Sequence, residues 1–191
     1  MAALMDAVKE PIAATRNPDV LQTLQEMVIV GVAAYLDDFL NCMVGLASAH
    51  REREFRDFLA AHGDDPERAA SQSCSLGELM RFARRRVTFK ERGKKLAGIC
   101  QLLLDAAPWP DEETRRYVCD LVRVRNIVVH HGGWPGEEHA KDVETAGMIV
   151  PSNDIFWKLE LRAFIGPAFA AAAVVGVTLT DAAERHPKLR L

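Results

Sequence analysis

From Ala163 to Thr180 the chain carries no charged residue. A stretch of that length without charge has two destinations, a helix buried in protein or a helix across a bilayer. Alanine dominates it, Gly166-Pro167 interrupts it, and it lacks the density of Leu, Ile and Phe that insertion requires. The sequence reading is a buried helix, against a membrane-associated regulator as the competing one. A second run, Met27 to Leu36, is apolar on every side of a helix. Such a helix is buried on more than one side, and a partner subunit would provide the second.

The rest of the punctuation is helical too. Asn17-Pro18 reads as an N-cap followed by proline in the first turn. A long helix runs from there to about Ala49, with Leu21, Leu24, Val28, Tyr35, Phe39, Met43 and Leu46 in an approximate three-and-four stripe. Arg51 to His62 continues as a charged amphipathic helix capped by Gly63, and Asp64 to Ser73 reads as a loop. Ser75 caps a short helix bearing Leu79, Met80 and Phe82, and Leu96 to Leu104 forms another, ended before Pro108-Trp109-Pro110. Asp111 caps a helix reaching Gly132, after which Trp134-Pro135-Gly136 is loop-like. Met148-Ile149-Val150, the turn Pro151 to Asp154, and the alternating Ile155, Trp157, Leu159 and Leu161 suggest a small β-hairpin. A last helix runs to about Arg185, and Pro187 ends it. The expected fold is therefore all-α, an up-and-down helical bundle with a small hairpin before its last helix. Residues 1–16 are a lead-in and 17–187 a single domain, the default for a chain of 191 residues.

Charge and cysteine usage narrow the chemistry. A formal net charge of −3 argues against a whole-surface affinity for nucleic acid, so any RNA binding is local. The one basic block runs from Arg81 to Lys95 and includes Arg84, Arg85, Arg86, Lys94 and Lys95. It reads either as a solvated surface or as a track for an RNA backbone. Cys42, Cys74, Cys100 and Cys119 have no C-x-x-C spacing, which excludes a zinc ribbon. Cys42, Cys100 and Cys119 fall in apolar helical patterns and read as reduced core residues. No His/Asp/Glu set has metal-ligand spacing, so neither a metal nor another cofactor is expected. Asp6, Lys9 and Glu10 exclude a signal peptide from the first residues, and the expectation is a cytoplasmic protein.

The chemistry-bearing stretch is Arg125-Asn126-Ile127-Val128-Val129-His130-His131-Gly132-Gly133. Asn126 and His130 are four apart and share a helix face. Arg125 lies on the neighbouring face, from which its long side chain can reach round. Gly132 reads as the helix C-cap, which puts His130 in the last turn at the negative end of the macrodipole. A guanidinium holds non-bridging phosphate oxygens in a fork, and an imidazole moves protons near neutral pH. Together they suit phosphoryl chemistry. His131 points about 100° away from His130 and either touches substrate or packs against Trp134. His50, His62 and His186 read as exposed, and His139 as part of an acidic loop.

This string resembles the HEPN superfamily (higher eukaryotes and prokaryotes nucleotide-binding). Its ribonuclease members carry Arg, four to six residues, then His, commonly with a polar residue directly after the Arg. Val32 to Leu40, with Tyr35, Leu36, Asp37 and Asp38, is similar to the first long helix of the same superfamily. Ala33 stands where many members have Glu, although Asp37 and Asp38 follow one turn along. The resemblance spans roughly Pro18 to Glu184. It implies a helical bundle of HEPN type, paired in a two-fold homodimer that brings two Arg-His motifs into one cleft. The implied activity is metal-independent endoribonucleolytic cleavage leaving 2′,3′-cyclic phosphate ends. His130 would transfer protons, Arg125 would stabilise charge on phosphorus, and Asn126 would orient a catalytic group or the substrate. Such members serve as toxins or phage-defence effectors, which implies an antitoxin protein as partner. The competing reading is a non-catalytic helical module for dimerisation or RNA/nucleotide binding, in which Arg125 and Asn126 satisfy polar groups at an interface.

Overall fold

The structure is a computed structural model that describes residues 17–62, 75, 97–98, 100–101, 104–134, 136–150 and 159–185. These form helices α1 (Pro18–His50), α2 (Glu52–His62), α3 (Glu112–His131), α4 (Gly136–Lys141), α5 (Ala146–Ile149) and α6 (Arg162–Arg185). The all-α expectation holds: no strand occurs among the described residues. The lead-in 1–16, the Gly63 cap, the 64–73 loop, the helix after Ser75, the basic block and Pro187 lie outside the described residues.

The chain divides into two compact units, Met1–Asp37 with Asp111–Val174 and Asp38–Pro110 with Val175–Leu191. In the first, α1 buries Val28, Ile29, Val32, Ala33 and Leu36, which fall on one side of a helix. The buried residues of α3 are Thr114, Tyr117, Val118, Cys119, Asp120, Leu121, Val122, Val124 and Ile127. Phe164, Ala168, Ala171 and Ala172 repeat at helical spacing along α6. Ile149, Leu159 and Leu161 are fully enclosed. Each large side chain so buried contributes about 1.5–3 kcal/mol relative to exposure. In the second unit the core comprises Met43, Phe55, Cys100, Leu104, Val175, Leu179 and Ala182. Gly98 lets the Phe58 ring come close: a Cβ there would meet its edge at 3.2 Å.

Local signals set the helix ends. Asn17 Oδ1 accepts from the Asp19 N–H at 2.9 Å and starts α1. Asp105 adopts φ 52° directly after helical Leu104, a left-handed conformation that Asp tolerates. Pro167 sits within the first two turns of α6, where its missing N–H removes a single backbone bond.

Three expectations are corrected. Met148 and Ile149 belong to the helical turn α5, not to a hairpin arm; residues 155–158 of the other arm lie outside the described set. The cause is a carboxylate: Asp120 accepts from the N–H groups of Glu144 and Thr145 and fixes the turn that leads into α5. Cys42 is exposed, not in the core. Tyr35, assigned to the inner stripe of α1, is 52% exposed, and Met27 is 65% exposed. The apolar run Met27–Leu36 thus has one face in the core and one open to solvent. Among the described residues two helical stretches, Pro18–Met43 and Arg162–Arg185, are long and apolar enough to cross a membrane by length and composition.

Candidate active site at the end of α3

Helix α3 is fixed at both ends. At its start the Asp111 carboxylate accepts from the Thr114 N–H at 2.6 Å. That bond holds the carboxyl below its usual range. At its end Gly132 takes φ 58° and ψ 32°, the left-handed conformation, and its N–H reaches the Ile127 carbonyl. Gly133 follows with φ 80°. A Cβ on Gly133 would lie 2.7 Å from Glu26 Oε1, so the carboxylate of α1 rests against the glycine turn. Gln22 Nε2 donates to Glu26 Oε1 at 2.8 Å and to the Leu159 carbonyl at 3.3 Å. The Leu159 N–H in turn donates to the Gly133 carbonyl at 3.1 Å. Three chain segments therefore lock the turn that follows His130.

On this helix Arg125 and Asn126 meet. Arg125 Nη1 donates to Asn126 Oδ1 at 2.8 Å, and Asn126 lies one turn before His130 on the same side of the helix. Both side chains are half-buried, whereas His130 is exposed in the last turn. Among the described residues one acceptor occupies one of the five guanidinium N–H groups, and a guanidinium can offer the others to an anion. No hydrogen bond joins His130 to Arg125 or Asn126 among the described residues. The arrangement can therefore hold an oxyanion with Arg125 and exchange a proton at His130.

The other sequence candidates fall as follows. The His131 ring meets that of His139 at a tilt of 49°, their centroids 4.4 Å apart, a partner that the sequence does not suggest. His139 belongs to α4, not to a loop. Ala33 is buried in the core, Asp37 is half-buried and Asp38 exposed. Arg84, Arg85, Arg86, Lys94 and Lys95 lie outside the described residues. Among the described residues no group of three or more His, Cys, Asp or Glu is placed to hold a metal ion.

Sequence reasoning missed two polar groups. Glu26 is one; its approach to Gly133 bridges parts of the chain too distant for any spacing rule. The other is Asp120, fully buried, whose Oδ1 accepts from Arg123 Nη1 at 2.9 Å and from the Glu144 N–H at 3.1 Å. Its Oδ2 accepts from the Thr145 N–H at 2.8 Å. Glu144 extends the cluster to Arg123 and Arg115, and Arg115 also pairs with Glu112. Only the Asp120–Arg123 spacing could have signalled it. Burial pushes the Cys119 thiol up despite its proximity to Arg115 and Arg123.

Compared with known proteins, the chain matches no family model, no curated protein and no solved structure.

Proposed function

We propose that the chain is a metal-independent endoribonuclease of HEPN type. The observation that carries the reading is the Arg125–Asn126 hydrogen bond on the helix whose last turn carries His130. In RNA the 2′-OH is already placed beside the phosphorus, so the protein has protons and charge to manage. His130 transfers the proton, Arg125 stabilises the charge that builds on the phosphorane oxygens, and Asn126 holds Arg125 in position. The 2′-oxygen bonds to phosphorus as the 5′-oxygen leaves with a proton, giving a 2′,3′-cyclic phosphate and a 5′-OH. Two copies of the chain pair so that their motifs share a cleft, and the basic block from Arg84 to Lys95 tracks the RNA backbone. The protein acts in the cytoplasm as a toxin or phage-defence effector held in check by an antitoxin.

The same hydrogen bond favours one rival. Arg125 and Asn126 satisfy each other, as they would in a non-catalytic module that binds RNA or dimerises. Induced expression in a bacterial host separates the two. Growth arrest by the wild type and normal growth with His130→Ala support the enzyme; equal growth with both supports the module.

A further inference from the structure

We propose that Trp134, together with the tilted His131–His139 ring pair, forms a subsite for an unpaired nucleobase of the RNA; the proposal rests on the ribonuclease reading of the Arg125–His130 motif. After α3 ends at His131, the Trp134 N–H donates to the His131 carbonyl at 3.1 Å and folds the chain back on the helix end. The indole edge then lies over Gly132, with Cδ1 4.0 Å from the place where a Cβ would stand. Helix α4 returns His139 to His131, and the two rings tilt by 49° at a centroid separation of 4.4 Å. His131 and His139 are exposed, and Trp134 is 47% exposed. Trp134, four residues after His130, and the tilted His131–His139 ring pair are thus partly open to solvent.

An indole left half in water forgoes burial that a large aromatic side chain ordinarily gains. Single-stranded RNA supplies flat apolar faces, and its bases stack on aromatic rings with little regard to sequence. The turn also has reason to be rigid. Gly132 and Gly133 hold left-handed conformations, and Glu26 and Leu159 pack on Gly133. A rigid aromatic platform beside a proton-transfer group would fix the nucleotide next to the scissile phosphate and leave the phosphate itself to Arg125.

The test measures binding without cleavage, in a His130→Ala background. The probes are a fluorescent oligouridylate and an abasic ribose-phosphate strand of the same length. Trp134→Ala should weaken oligouridylate binding roughly tenfold, and Trp134→Phe should restore most of it. His131→Ala should cause a smaller loss, and none of the three should alter binding of the abasic strand. Equal loss for both strands would overturn the subsite, because the effect would then be electrostatic or structural. Unchanged oligouridylate affinity in Trp134→Ala would overturn it too, while leaving the ribonuclease reading standing. Absence of both RNA binding and cleavage by the unaltered chain would remove the subsite and the ribonuclease reading together.

Discussion

Asp120 has no exposed side-chain surface and accepts hydrogen bonds from Arg123 and from two backbone N–H groups. Removing it would leave the Arg123 guanidinium with Glu144 alone, and the Glu144 N–H and the buried Thr145 N–H short of an acceptor. Asp120→Ala should lower the unfolding free energy by about 3 kcal/mol, read as a reduced urea midpoint with an unchanged slope. Asp120→Asn should cost less, since it keeps an acceptor. An unchanged midpoint in the alanine variant would show that water takes over these bonds. The cysteines make a second residue-scale case. Cys42 is exposed, whereas Cys100 is buried and its thiol is pushed up to about 12. In the native protein at pH 8 a thiol reagent should therefore label Cys42 well before Cys100 and Cys119. The sequence placed all three thiols in the core, because an apolar neighbourhood along the chain does not reveal which side of the helix a residue faces. The Arg125–Asn126 bond, by contrast, joins adjacent residues.

At the scale of elements, the ends of α3 were legible and its tertiary supports were not. Asp111 and Gly132 act within a few residues of themselves, so their residue types alone announce a start and a stop. The support of Gly133 by Glu26, and of α5 by Asp120, joins segments that only folding brings together. That is why the short apolar run at Met148 read as a strand. The cap carries a pH signature. Asp111 has a depressed carboxyl, so its stabilisation is complete above the ordinary carboxylate range and fades as pH falls through its lowered value. The melting temperature should fall with acidification below pH 4, and Asp111→Ala should lower it at pH 7 and flatten that decline. Gly133 tests the other end. Its φ of 80° and the Glu26 contact make Gly133→Ala costly, by about 1–2 kcal/mol from the backbone alone. Glu26→Ala should relieve only the remaining steric part, giving a measurable coupling in a double-mutant cycle. Additive effects would show that the two do not press on each other.

For the whole molecule, the open apolar positions decide what assembles. Met27 and Tyr35 on α1 are more than half exposed, as is Val177 on α6. Single exposed apolar residues are ordinary, but here Met27 and Tyr35 belong to a run that is apolar on all sides, which motivates the homodimer. Light scattering at micromolar concentration should give twice the chain mass of 21.2 kDa; the mass of one chain would remove the shared cleft. The basic block has its own test. Changing Arg84, Arg85 and Lys94 to Ser should weaken RNA binding whatever the sequence and reduce the salt slope by about 0.7 for each phosphate no longer neutralised. Cleavage at saturating RNA should change far less. In the proposed function Arg125 and His130 carry out RNA cleavage without a metal ion. The most direct measurement of this is cleavage of a single-stranded RNA by the purified protein in EDTA, with end groups identified and both alanine variants run beside it. The wild type should leave 2′,3′-cyclic phosphate ends, and His130→Ala and Arg125→Ala should cleave roughly 10²-fold or more slowly, with their helical content unchanged. Full activity in either variant, or cleavage only when a divalent ion is added, would contradict it.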